Sequence, residues 1–115
     1  MTITLNPDAF DNARRLITDG AVVRDDRDDW SEHAPSTDKE NSFIEKHGFG
    51  EFAAWHLGVD KSQSEETKGR YSFPFGDFAK VHRCGVIALE SRAAQNDHDS
   101  IAKAAKKLLD QIDGK

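Results

Sequence analysis

Apolar residues recur at helical spacing in the first part of the chain. Asn6 followed by Pro7 is typical of a helix start, because Asn caps free backbone N–H groups and Pro has the backbone angle of a first helical residue. Gly20 is suited to end such a helix. The pattern predicts a helix over 7–18, with an apolar side formed by Phe10, Ala13 and Ile17.

A second helical pattern follows Thr37, which has Glu40 three positions later. This is the spacing of a capping box, in which each of the two side chains hydrogen bonds to the backbone of the other residue. The apolar positions beyond it predict one helix over 38–47 and a short second helix over 50–57, separated by Gly48.

The segment 70–76 has a different period, since aromatic residues alternate with other residues. Tyr71, Phe73 and Phe75 therefore predict an extended segment, in which they cover the core. Pro74 restricts this segment to a loop or to the edge of a sheet, because proline has no N–H for a neighbouring strand.

The last third of the chain predicts two helices. One spans 78–95, with Asp77 as its N-terminal cap, and the other spans 98–112. A short polar turn separates them, which favours an antiparallel helical hairpin. Gly85 lies in the middle of the first helix, where it costs about 1 kcal/mol relative to Ala. This cost indicates the close approach of another backbone, so 78–95 is predicted to be the central helix.

Two segments lack apolar periodicity and are predicted to be loops. Four Asp residues occur between positions 25 and 29, which indicates an exposed acidic loop over 24–36. The segment 60–69 contains no apolar residue and is predicted to be a mobile loop. With five helices and no confident strand, the chain of 115 residues is predicted to be a single all-α domain over 1–115.

Net charge, cysteine content and the length of apolar runs limit the classes of function that the sequence allows. The net charge of −5 comes from an acidic first half, which disfavours binding to nucleic acid or to anionic membranes. Cys84 is the only cysteine, so no internal disulfide is possible. The sequence shows no signal peptide and no apolar run of the roughly 18 residues that span a bilayer. These features predict a soluble cytoplasmic protein without membrane contact.

Candidate functional residues concentrate around the start of the predicted helix 78–95. A basic and aromatic set could bind an anion or a partner, together with the free N–H groups that follow the cap Asp77. The set consists of Arg70, Tyr71, Lys80, His82, Arg83 and Ile87. Each also has a structural interpretation: His82 as a hydrogen-bonded core histidine, Ile87 as a contact to the N-terminal helices, and Tyr71 as part of a lid over the core.

A metal site is not predicted. The histidines are scattered, without the spacing of known ligand pairs. On one helix, His82 and Cys84 would diverge by about 200° and would not share an ion. The sequence also contains no nucleotide-binding glycine motif. No cofactor and no catalytic residue is therefore predicted.

The same region resembles a family of short bacterial proteins that remain uncharacterised. The similarity is carried by an FP-x-GDF-x-x-VHR pattern and by the upstream stretches WSEHAPS, ENSFIEKHG and WHLGVD. The pattern residues are Phe73, Pro74, Gly76, Asp77, Phe78, Val81, His82 and Arg83. A looser likeness links the C-terminal part to small domains of phage-associated proteins. The resemblance implies a single bacterial domain and no particular activity.

Three functions of different class remain open from the sequence. The leading hypothesis is a non-enzymatic accessory or interaction protein with an unknown protein partner, which would dock near Ile87 between Lys80 and Arg83. The second is a nucleic-acid-binding module that uses the basic residues of 70–92. The third is a small-molecule or anion site around Tyr71, Asp77, His82 and Arg83.

Overall fold

The computed structural model of the chain describes residues 3–25 and 30–114, apart from the side chains of Ser31 and His33. The helices are α1 (Pro7–Thr18), α2 (Trp30–His33), α3 (Thr37–Ala53), α4 (Arg83–Gln95) and α5 (Asp99–Ile112). The strands are β1 (Thr4–Leu5), β2 (Val22–Val23), β3 (His56–Val59), β4 (Tyr71–Pro74) and β5 (Val81–His82). A short 3-10 helix over Lys68–Arg70 precedes β4.

The strands form two small sheets. In the first, β3 lies between β1 and β4 and is antiparallel to both. Its Gly58 lies opposite Leu5 on one side and Ser72 on the other. In the second sheet β2 and β5 are parallel, with Val23 opposite His82. The protein is therefore a mixed α/β domain.

The prediction of an all-α fold is wrong. Each strand has only two to four residues, so most are too short for an alternating pattern to be visible in the sequence. The extended segment 70–76 was recognised, and it pairs with β3 as an edge strand. The sequence pattern does not indicate its partner strand β3, because residues 56 and 57 of β3 fall within the predicted helix 50–57.

The helices predicted over 7–18 and 98–112 agree with α1 and α5 within one residue. Helix α3 is interrupted at Gly48, whose φ of 83° is disfavoured for residues with a side chain. The two parts of α3 correspond to the two predicted helices, but the second ends at Ala53. Among the described residues, no helix is long and apolar enough to cross a bilayer.

The predicted helix 78–95 is wrong in its first turn, because α4 begins only at Arg83. Residues 76–81 form a tight turn, in which Gly76 and Val81 pair. Asp77 caps this turn and not a helix, since its Oδ1 accepts hydrogen bonds from the N–H groups of Ala79 and Lys80 at 3.0 and 2.8 Å. Phe78 has a φ of 71° and does not belong to α4.

The core lies between α1, the α4–α5 pair and the three-stranded sheet. Helices α4 and α5 are connected by a short turn and pack along each other, as the predicted hairpin requires. The most completely buried large side chains are Phe52, Leu57, Phe75, Val81, Val86, Leu89, Ile101 and Leu108. Gly85 is approached by the ring of Trp30 and not by a backbone, since a Cβ on Gly85 would lie 2.9 Å from that ring.

Both predicted loops contain local structure. In 24–36, the short helix α2 follows the acidic run, and positions 26–29 of that run lie outside the described residues. In 60–69, turns are held by hydrogen bonds to the loop backbone. The Arg70 guanidinium donates to Gln63 O at 2.7 Å, and the Tyr71 hydroxyl donates to Glu65 O at 2.9 Å.

Candidate functional site

His82 lies between two carboxylates in a buried cluster. Its Nδ1 is 2.7 Å from Asp25 Oδ2, and its Nε2 is 2.8 Å from Asp77 Oδ2. The side chains of His82 and Asp25 are only 5% and 7% exposed, whereas that of Asp77 is 25% exposed. Both ring nitrogens are therefore engaged, one deep in the protein and one nearer the surface.

Three separate elements place these side chains together. His82 ends β5 and immediately precedes α4. Asp25 follows β2 by two residues, and the parallel pairing of β2 with β5 carries it alongside His82. Asp77 belongs to the tight turn 76–81, which folds back on the end of β5.

Cys84 joins this cluster through its backbone and its side chain. Its N–H donates to Asp25 Oδ1 at 2.8 Å, so one carboxylate binds both His82 and the first turn of α4. The thiol is buried, at 1% exposure. One ligand atom from each of Asp25, His82 and Cys84 lies within 4.8 Å of the other two. The helical argument that separated His82 from Cys84 fails because His82 precedes the helix.

The cluster favours the charged forms of His82, Asp25 and Asp77. Burial opposes a charge on His82, but its hydrogen bonds to Asp25 and Asp77 outweigh this effect and raise the pKa of the imidazole. Burial likewise opposes ionisation of Asp25, yet the hydrogen bonds from Cys84 and His82 lower its pKa. The pKa of Asp77 is also lowered, because the His82 and backbone hydrogen bonds outweigh its burial.

Trp30 packs against the same cluster. The rings of Trp30 and His82 are 5.9 Å apart between centroids. Gly85 makes this position of Trp30 possible, because a side chain there would meet the indole. Helix α2, which lies within the predicted acidic loop, thus supplies an aromatic neighbour of His82.

The residues that the sequence predicts as site residues lie in different parts of the structure. Asp77 and His82 belong to the buried cluster. Arg83 forms a bidentate ion pair with Asp113 at 2.9 and 3.1 Å, after the end of α5. Lys80 is exposed in the tight turn, and Ile87 is half-buried on α4. No helix begins at residue 78, so the helix N-terminus expected at the predicted anion site lies at Arg83 instead.

Arg70 and Tyr71 instead line a surface groove. It has a volume of about 840 Å³ and lies between α3, the start of α1 and the loop that precedes β4. Its apolar lining includes Ile44, Phe49 and Tyr71. Lys61, Glu65 and Glu66 add charges from the loop.

The sequence reasoning missed Asp25, Trp30 and Phe49. Asp25 was assigned to a solvated acidic loop, and only the β2–β5 pairing, between residues far apart in the chain, shows its role. Phe49 had a local signal, because it lies between Gly48, where the helix is interrupted, and Gly50. Comparison of the chain with protein-family models, with curated proteins and with solved structures finds no significant match.

Proposed function

We propose that this protein is an interaction module that binds an extended segment of a partner protein in the groove beside Phe49 and Tyr71. The observation that carries the proposal is a fixed aromatic wall on a partly open surface. Phe49 and Tyr71 stack with centroids 6.4 Å apart and ring planes inclined by 26°. Both residues are half-buried, so part of each remains accessible to a ligand.

The aromatic wall is held in place before any partner binds. Phe52, which is 1% exposed, contacts Phe49 edge-on at 6.2 Å and Tyr71 at 5.9 Å. The Tyr71 hydroxyl is hydrogen bonded to Glu65 O, which fixes the second ring. Rigid aromatic side chains make strong binding contacts because little conformational entropy is lost when a partner docks.

The groove also suits a peptide main chain. A Cβ on Gly48 or Gly50 would meet no atom within 4 Å, so the backbone on both sides of Phe49 is open to close approach. The charges around the groove have both signs, from Lys61 and Arg70 and from the acidic residues Asp8, Glu65 and Glu66. This combination favours a segment with one aromatic or aliphatic anchor and polar neighbours over a uniformly charged polymer.

The proposal is tested by selecting binders from a random peptide display library on the full chain. The dissociation constant of a selected peptide is then measured for the wild type, for Phe49→Ala and for Ile87→Ala. Phe49→Ala should weaken binding by about tenfold or more, since truncation of a central anchor costs at least about 1.4 kcal/mol.

Ile87→Ala is the matched control, because Ile87 is also a half-buried apolar residue but lies on α4, outside the groove. Its effect should stay within about twofold. If Ile87→Ala abolishes binding and Phe49→Ala does not, the docking surface is α4 and the groove proposal is wrong. Tight, strongly salt-dependent binding to a mixed-sequence oligonucleotide, without peptide binding, would instead support a nucleic-acid-binding module.

A further inference from the structure

The buried cluster suggests a second property, which is independent of the groove and shares no residue with it. We propose that Asp25, His82 and Cys84 form a binding site for a divalent transition metal ion, with Zn²⁺ as the best match. The site lies where β2, β5 and the first turn of α4 meet.

The donor atoms have the separation that an ion needs. A tetrahedral zinc site has a Zn–N distance of about 2.0 Å and a Zn–S distance of about 2.3 Å, which places neighbouring ligand atoms about 3.5 Å apart. The three donors already lie within 4.8 Å of one another. Asp25 Oδ2 and His82 Nδ1 are 2.7 Å apart and must separate by less than about 1 Å to admit the ion.

The orientation of His82 matches that of a metal-binding histidine. Nδ1 faces Asp25 and would bind the ion in place of its present hydrogen bond, whereas Nε2 faces Asp77 Oδ2 at 2.8 Å. Metal-bound histidines usually donate their second N–H to a carboxylate, which fixes the ring and makes the ligating nitrogen more basic. Asp77 is therefore a positioning residue for His82.

The charges of the ligands balance those of the ion. The Asp25 carboxylate and a Cys84 thiolate carry two negative charges, and a neutral His82 adds none. A divalent cation between them neutralises the charges of these three ligands, which reduces the cost of burying them. Binding releases the thiol proton and the Nδ1 proton of a charged His82 to solvent.

The ligand types select among metals. Thiolate and imidazole ligands together favour zinc and cobalt over magnesium and calcium, which prefer oxygen ligands alone. These side chains supply three of the four ligands of a tetrahedral ion. A site with three protein ligands can accept water or another donor in the fourth position.

Cobalt titration of the chelator-treated full chain tests the site directly. A thiolate bound to Co²⁺ gives a charge-transfer absorption band in the near ultraviolet. Because the chain has one cysteine, such a band identifies Cys84 as a ligand without any substitution. We expect the band to saturate at one equivalent of Co²⁺, to disappear on addition of Zn²⁺ and to persist in excess Mg²⁺.

Two variants and a control separate ligands from supporting residues. Cys84→Ser should abolish the band, and Asp77→Asn should weaken Co²⁺ affinity about 10–100-fold while the band remains. His56→Gln changes a buried histidine outside the cluster and should alter neither stoichiometry nor spectrum. Absence of the band in the folded wild-type protein would overturn the proposal, as would binding that Cys84→Ser leaves unchanged.

Discussion

The two histidines His56 and His82 differ in titration although both are buried. His56 is 3% exposed and His82 is 4% exposed. His56 lies against the ring of Phe52, with centroids 4.4 Å apart, and its Nδ1 donates to Phe52 O at 2.8 Å. Burial lowers the pKa of His56 to about 4. At His82 two carboxylates outweigh burial, and the pKa is raised.

The difference shows that burial alone does not decide the pKa of a histidine in this protein, because carboxylate partners can reverse its effect. The partner of His56 is the Phe52 carbonyl, four residues away in the chain, and this hydrogen bond raises the pKa of the ring too little to offset the effect of burial. The deeply buried partner of His82 is Asp25, at the end of another strand. Burial therefore keeps His56 neutral within the aromatic core, whereas the carboxylates around His82 favour its charged form and link segments distant in sequence.

The largest expected effect comes from replacing the two histidines by the same residue. His82→Leu leaves the buried Asp25 carboxylate without its imidazole partner, so it should lower the free energy of unfolding by about 3–5 kcal/mol. His56→Leu should cost about 1 kcal/mol, because Phe52 O still accepts a hydrogen bond from Trp55 N–H. Urea unfolding at pH 7.5, with a chelator present, measures both. Equal costs would contradict the larger stabilising role that the structure gives to the contact between His82 and Asp25.

The second prediction concerns the pH dependence of stability that His56 causes. Its pKa of about 4 in the folded state is below its ordinary value of 6.5, so the unfolded chain binds a proton more readily. Stability should therefore fall as the pH decreases through 6.5 towards 4. The loss between pH 7.5 and pH 5 should be about 2 kcal/mol.

His56→Leu provides the reference for this measurement, because it removes the titrating group and leaves the other groups in place. The difference between wild type and variant in urea unfolding free energy should change by about 2 kcal/mol over that pH range. A difference that stays constant with pH would show that His56 is not held neutral by burial.

A third prediction compares Gly85, which lies beside the His82 cluster, with Gly50, which lies near the aromatic core around His56. At Gly85 an added Cβ would lie 2.9 Å from the Trp30 ring, beside the His82 cluster. Overpacking costs about 1–3 kcal/mol, and the higher helix propensity of Ala returns up to about 1 kcal/mol. Gly85→Ala should therefore destabilise the protein by about 1 kcal/mol and change its tryptophan fluorescence.

Gly50→Ala is the matched substitution near the aromatic core. A Cβ there meets no atom within 4 Å, so the substitution should stabilise the protein by about 0.5–1 kcal/mol. The two variants should thus shift the urea midpoint in opposite directions. A common direction would mean that Trp30 does not pack on Gly85.

The smallest effect is expected on the outer side of α5. Lys107 is exposed, so Lys107→Ala should change the free energy of unfolding by less than about 0.5 kcal/mol. The variant sets the baseline against which the histidine and glycine effects are judged. A loss of more than 1 kcal/mol in urea unfolding would contradict the solvent-facing assignment of this helix face.

Much of the helical structure could be predicted from the sequence. Helices α1 and α5 have apolar residues on one side and clear end signals, so local preference and tertiary packing agree there. The interruption of α3 was visible at Gly48, because glycine is the residue that adopts a positive φ most easily. The pairing of α4 with α5 followed from the short turn between them.

The sheets and the His82 cluster depended on the tertiary structure. Strands of two residues, such as β2 and β5, have no pattern of their own and are stabilised by partners far away in the chain. The segment 78–82 has helical spacing, yet Asp77 stabilises a tight turn there through backbone hydrogen bonds. Because Val81 and His82 form β5 and not a turn of the predicted helix, the side chains of His82 and Cys84 both lie close to Asp25. Local spacing could not predict this cluster, because the strand pairing that positions Asp25 is a long-range interaction.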